Sequence, residues 1–316
     1  MLTKAGLAVL DVLSSGREAT LDDLVAETEH SRTHIYRVLD DLFTTGLLTE
    51  SRGHHNQRRV RVTDHPVVEA YRHLTSKLGH VEWSDLLSPA TVRVCWYLDE
   101  PRRVSAIAAR LNISRQGVHG ALSPLKDRAM LSPAGPEYAL ADDMHPLLEF
   151  VHTVVAHEHR ERVRSLAPSA TVAWCDPKRA LIRVHEPEDT DVLQSTDEWQ
   201  LTGLAKFRGF GLQFFLSGEP AFWYAPTEEL TPSEVVCHTL VLESDSRRMS
   251  YAMLLIETAE IGEESLTSTS GWYGLEAEIS EMYRAIDGDF ESTAESAVRL
   301  PSEQEYSALK AQYVST

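Results

Sequence analysis

An α+β fold is what the sequence predicts, on three observations. One stretch of the chain recurs at a constant offset of 83 residues. Within each copy the apolar period changes from that of a helix to that of a strand. Beyond Pro168 strand-like and helix-like segments are mixed, and the chain of 316 residues is long enough for two or three compact cores.

The repeat sets Leu21–Leu48 on Val104–Leu131 without a gap, with Ala26/Ala109, Ser31/Ser114, Arg32/Arg115, Leu39/Leu122, Leu42/Leu125 and Leu48/Leu131 identical. In the first copy Leu2–Leu13 reads as a supporting helix, apolar at Val9, Leu10 and Leu13. Thr20 caps a short helix from Leu21 to Thr28. After the turn Glu29–His30, Ser31 caps a second helix, since its hydroxyl can accept from an orphan N–H of the first turn. Ile35, Val38, Leu39 and Leu42 give that helix one buried stripe. Gly46 ends it, as a residue that enters the left-handed region freely. Leu47–Ser51 and Arg58–Val62 then read as two strands around Arg52-Gly53-His54-His55-Asn56-Gln57. Two short helices in tight connection are a helix-turn-helix, and the hairpin is a wing.

The second copy keeps the plan with weaker chemistry. Ser88-Pro89 opens its first helix, where the missing proline N–H costs nothing. Ser114 caps a helix with Val118, Ala121, Leu122 and Leu125 inward, and Pro124 is expected to kink it or end it early. Its wing, Ser132-Pro133-Ala134-Gly135-Pro136-Glu137, holds no basic residue. The expected organisation is winged module 1 over 1–80, winged module 2 over 81–145, a linker helix over 146–168, and a small α+β domain over 169–316.

Charge divides unevenly along this plan. Residues 1–80 hold 10 Lys+Arg against 11 Asp+Glu, residues 81–150 hold 7 against 9, and residues 151–316 hold 13 against 28. Most of the formal −18 therefore sits on the last domain. Of 30 basic residues only six are Lys, an acid-rich, lysine-poor balance suited to work in molar salt. No run of 18 apolar residues and no signal-like N-terminus are present, so a cytoplasmic protein is expected. Cys95, Cys175 and Cys237 form no C-x-x-C pair and read as reduced, partly buried side chains.

A helix in the major groove reads bases with side chains opposite its buried stripe. In copy one these are Arg32, Thr33, Tyr36 and Arg37. Arg can pair with guanine O6 and N7, and the Thr methyl can meet a thymine methyl. Arg52, Arg58, Arg59 and Arg61, with His54 and His55, place a basic wing on phosphates or in the minor groove. In copy two the equivalents are Arg115, Gln116 and His119, unless that module serves as spacer and dimer contact. At molar salt steering is screened, and close contacts carry more of the affinity.

The segments L-D-D-L-V-A-E-T-E-H-S-R-T-H-I-Y-R-V-L-D-D-L and G-L-L-T-E-S-R-G-H-H-N-Q-R-R-V-R-V-T resemble archaeal winged-helix transcription regulators of the MarR and TrmB type. The resemblance covers roughly residues 1–150, and the chain as a whole is similar to a haloarchaeal group of such regulators. It implies double-stranded DNA as partner, and homodimers on partly palindromic sites.

Past the modules, Pro146–Leu166 reads as a helix whose His152, His157 and His159 are expected to be solvated; His157-Glu158-His159 lacks the spacing of a zinc pair. Thr171–Trp174, Ala180–His185, Leu212–Leu216 and Ala221–Tyr224 read as strands. Capping boxes at Thr231–Glu234 and Ser302–Glu305 open helices, and Glu276–Ile286 is a further one. Trp199, Phe207, Phe210, Phe214, Phe215, Phe222, Trp223 and Tyr224 read as core, with a ligand or partner pocket as the alternative. Gly209-Phe210-Gly211 lacks a third glycine, no Walker or G-x-S-x-G motif occurs, and Asp287-Gly288-Asp289 reads as a loop. The expectation is thus a non-enzyme with no catalytic residue, cofactor or metal, whose acidic domain binds an effector, a second copy or a protein. The competing expectation is an antitoxin-like or accessory subunit that autoregulates its operon and masks a partner with that domain.

Overall fold

The computed structural model describes residues 2–52, 57–213, 219–290 and 298–313. It is an α+β chain that divides into two compact units, Met1–Glu161 and Arg162–Thr316. The dividing point lies inside the helix expected as a linker.

The first unit begins with α1 (Lys4–Ser14), α2 (Leu21–Thr28) and α3 (Arg32–Thr44). Thr20 and Asp23 form a reciprocal capping box on α2, and the bonds from Thr20 hold the Asp23 carboxyl below its ordinary range. Ser31 Oγ accepts from His34 N at 3.3 Å, and Ile35, Val38, Leu39 and Leu42 are buried. Gly46 takes φ 72°, a turn that an L side chain resists. The chain then enters β1 (Leu48–Arg52) and β2 (Arg58–Val62), antiparallel, with Leu48 opposite Val62 and Arg52 opposite Arg58. Ala19 bridges to Val60, so a third backbone segment lies along β2. The tip residues Gly53, His54, His55 and Asn56 lie outside the described residues.

The second copy follows the first through α4 (Pro66–Lys77), α5 (Trp83–Leu86) and α6 (Pro89–Cys95). Neither α4 nor α5 was among the expected elements. β3 (Arg102–Arg103), α7 (Val104–Leu111), α8 (Arg115–Lys126), β4 (Leu131–Ala134) and β5 (Glu137–Leu140) complete the copy. The sheet order is β3-β5-β4, with Arg102 opposite Tyr138.

Equivalence at the constant offset extends beyond side chains to the backbone. Glu29 and Asn112, the residues that end α2 and α7, both have positive φ, 55° and 51°. Gly46 and Ala129 match in the same way, at 72° and 55°. The Ala19 bridge to Val60 recurs as Arg102 against Tyr138. The expectation for Pro124 needs correcting: α8 continues two residues past it, to Lys126. That proline sits in the last turn, and the bond it cannot donate is the one to the Gly120 carbonyl, so the helix runs on past it without that bond.

α9 (His145–Leu166) carries the chain toward the second unit. Its early turns pack against both copies, with Phe150 5.2 Å from the ring of Tyr71 and a His152 ring nitrogen 3.2 Å from the Trp96 carbonyl. The solvated reading of its histidines is overturned for two of them, since His157 and His159 are buried. His157 meets the His65 ring edge-on at 4.5 Å. Burial, aided by nearby His65 and Arg160, lowers its pKa to about 4.

In the second unit β6 (Thr171–Cys175), β7 (Ala180–Arg183), β8 (Trp199–Thr202) and β9 (Ala221–Tyr224) form an antiparallel sheet in the order β6-β7-β9-β8. Both of its faces are covered. Ile182 and Phe222 pack with Val163, Ala167 and Leu193, the last on α10 (Pro187–Gln194). Leu181 and Trp223 turn the other way, toward Trp174, Leu242 and Tyr273. That period-2 alternation between two apolar faces is why β7 and β9 read as continuous apolar runs. α11 (Pro232–Leu242), α12 (Ser246–Thr258), α13 (Glu263–Ser270), α14 (Glu276–Ile286) and α15 (Glu303–Tyr313) build a helical core around Val236, Leu240, Met253, Leu266, Ile279 and Met282. The capping boxes at Thr231 and Ser302 form as expected. The strand expected at Leu212–Leu216 does not form at Leu212 and Gln213, and its other residues lie outside the described set, as do Phe214 and Phe215 of the aromatic cluster. β8 was not anticipated; it holds Trp199 in the core. None of Cys95, Cys175 and Cys237 is in a disulfide, and burial raises the Cys95 pKa to about 12.

Candidate nucleic-acid interface

With Ile35, Val38, Leu39 and Leu42 inward, helical periodicity turns Arg32, Thr33, Tyr36 and Arg37 outward, and all four are exposed. Tyr36 is 51% exposed, unusual for an aromatic ring with a core available beside it. The charge order along α3 runs against its macrodipole. Arg32 and Arg37 lie toward the N-terminus, Asp40 and Asp41 toward the C-terminus, and the first turn holds no acid. Each such placement costs about 0.3–1 kcal/mol in a surface helix, so helix stability does not account for it. The N-terminal half instead offers the first backbone N–H groups of the helix and two exposed guanidinium groups, a combination suited to phosphate oxygens.

Arg32 is partly restrained, with Nη1 2.5 Å from Asp22 Oδ1 on α2. Both side chains are largely exposed, so the pair contributes little stability and can exchange for another acceptor.

The hairpin arginines divide between two faces. Arg52 and Arg58, opposite each other, share the face of Glu50, Val60 and Val62, and Arg58 pairs with Glu50. Arg59 and Arg61 point to the other face with Thr49 and Ser51. Arg59 is only half-exposed, and its Nε is buried without a hydrogen-bond partner. The four guanidinium groups expected as one basic wing are therefore two pairs. His54 and His55 lie outside the described residues.

On the second copy Arg115, Gln116 and His119 are all exposed on α8. The position equivalent to Asp22 is Ser105, and among the described residues Arg115 makes no ion pair. Gly117 and Gly120 share the outer part of the helix, and a Cβ at Gly120 would meet nothing within 4 Å. Each glycine costs a helix about 1 kcal/mol against Ala, and Gly120 leaves the backbone open to close approach, whereas a Cβ at Gly117 would meet Ser114 Oγ at 3.5 Å.

Four residues beside these were not singled out from the sequence. His34 is exposed on α3 and contacts His30 with ring centroids 5.1 Å apart. Ile113, in the turn before α8, is 42% exposed. Arg102 and Arg103 enter the second hairpin's sheet as β3, where Arg103 Nε lies 3.3 Å from Glu137. The expectation of a second wing with no basic residue holds for the hairpin alone and not for its sheet. The offset from Ala19 could have flagged Arg102, but only a bridge at Ala19 makes that position meaningful. No group of three or more His, Cys, Asp or Glu able to hold a metal ion occurs among the described residues.

The class these features define is an α+β protein with a repeated helix–helix–hairpin unit ahead of a separate mixed domain. No helix among the described residues is long and apolar enough to cross a membrane. Residues 196–315 match the family model described as HVO_2833_C, C-terminal, so most of the second unit is similar to that family's C-terminal region. The repeated units lie outside the match. No curated protein matches the chain.

Proposed function

We propose that the chain is a DNA-binding transcription regulator with two winged helix-turn-helix modules in tandem. In this reading α3 lies in the major groove, with Arg32, Thr33, Tyr36 and Arg37 toward base edges and the β1–β2 hairpin on the backbone or minor groove. The observation that carries it is the outer face of α3: exposed Arg, Thr, Tyr and Arg opposite a buried stripe, with charges ordered against the helix macrodipole. The repeat supports it too, because a capped second helix, a left-handed turn before it and a hairpin after it recur at one offset.

Module one is the primary reader, with α8 adding Arg115, Gln116 and His119 on a flatter surface. Dimerisation on a partly palindromic site and a cytoplasmic setting belong to the same reading. The acidic second unit stays off the DNA, since it holds most of the excess carboxylate and repels phosphate. Selection of bound duplexes from a random-sequence pool by the full chain tests this. A recurrent motif is expected, and sites crosslinked to the protein should map to α3 and the β1–β2 hairpin. Recovery of no motif, or crosslinks confined to residues 170–316, would overturn it.

A further inference from the structure

The second unit has an open cavity of about 230 Å³, lined by Thr202, Gly203 and Ala221 and by the charged Arg183, Glu219, Glu243 and Arg248. Gly203 helps keep it open. Its φ is 61°, and a Cβ there would come within 3.2 Å of Leu242 Cδ1. Arg183 and Arg248 balance Glu219 and Glu243 in number but not in geometry. Arg248 commits two nitrogens to Glu243, Nε at 2.9 Å and Nη2 at 2.6 Å. Glu219 takes the Nδ1 of His185 at 2.7 Å.

Arg183 is left with long approaches, 3.9 Å from Nε to Glu219 and 3.5 Å from Nη2 to Glu243. Its one close bond runs from Nη2 to the Leu242 carbonyl, 2.7 Å, which holds the guanidinium in place without neutralising it. Among the described residues nothing accepts from its Nη1. The side chain is 30% exposed at the cavity mouth.

We propose that this cavity is a binding site for a small organic carboxylate with a short apolar tail. Nη1, which has no acceptor among the described residues, and the second hydrogen of Nη2, which only loosely approaches Glu243, form the guanidinium edge that a carboxylate would take. Leu204, Ala205 and Leu242 supply the apolar wall for the tail. The volume falls below the roughly 300–1,000 Å³ of drug-sized pockets, so the ligand is compact. A phosphate fits worse, because its second negative charge would face Glu219 and Glu243. The inference concerns the second unit alone and does not rest on the DNA reading.

The test is titration calorimetry of the full chain with acetate, propionate, butyrate, pentanoate, butyramide and inorganic phosphate. Binding should strengthen about fourfold per added methylene until the cavity is full. Butyramide and phosphate should bind at least about tenfold more weakly than butyrate, having lost the matched charge. Arg183→Lys keeps the charge but loses the fork, and Ala205→Phe fills the mouth from an exposed position. Each should weaken butyrate at least about tenfold while the melting temperature stays near that of the parent. No heat from any carboxylate up to about 10 mM would overturn the proposal. So would tighter binding of phosphate or butyramide than of butyrate, or an unchanged butyrate affinity in either variant.

Discussion

Arg52 and Arg58 face each other across the β1–β2 ladder, and both lie on the face that carries Glu50. Like charges directly opposed in a sheet destabilise it by about 0.2–1 kcal/mol, and opposite charges stabilise it by a similar amount. Arg52→Glu converts the first case to the second. Folding should therefore improve by about 0.5–1 kcal/mol, which is about 1–4 °C in melting temperature for a unit of this size. DNA binding should move the other way. One lost phosphate contact lowers the slope of log K against log salt by about 0.9. A lost charged hydrogen bond weakens binding at fixed salt about tenfold. The assay is fluorescence anisotropy with a duplex selected by the parent chain, titrated at several salt concentrations beside a thermal melt. An unchanged slope and affinity would refute the hairpin's contact with DNA. A melting temperature that fell together with affinity would refute the charge argument.

Four further outcomes are expected. Arg32→Ala and Arg37→Ala should each cost about 1–3 kcal/mol on the selected duplex and less on random DNA, by the same anisotropy assay; equal losses on both would make them phosphate contacts. Arg115→Ala with Gln116→Ala should weaken binding less than Arg58→Glu with Arg59→Glu, and a reversed order would make α8 the primary reader. Ala129→Gly should stabilise by about 0.5–1 kcal/mol in urea unfolding, because φ 55° burdens an alanine and not a glycine, whereas Gly46→Ala should destabilise. For pH, His157 has a folded pKa of about 4 against an ordinary 6.5, so the unfolded chain binds the proton first. Stability present above about pH 6.5 should then be lost as pH falls toward about 4, by up to about 3 kcal/mol, and His65, also lowered by burial, adds in the same direction. His157→Phe should flatten that part of the urea-midpoint curve; a curve as steep as the parent's would assign the loss to other groups.

Local order is legible in the sequence. Caps at Thr20, Ser31, Ser114, Thr231 and Ser302 involve residues three apart, and the stripe of α3 repeats within one helix, so neighbouring residues alone specify them. The outward set Arg32, Thr33, Tyr36 and Arg37 follows from that stripe by subtraction. What needed the tertiary structure were relations between distant segments. β8 is a strand because β9 pairs with it, and Arg102 matters because β5 lies beside it. Strand alternation alone separates Arg58 from Arg59 and Arg61, but Arg52 joins Arg58 only once the register of β1 on β2 is set, since a shift of one residue would move it to the other face. His157 looks solvated in a histidine-rich helix and is buried because α9 lies on the segment that carries His65. The cavity at Arg183 draws residues from β7, β8, β9, α11 and α12, and no spacing in the chain announces a space that five elements leave between them.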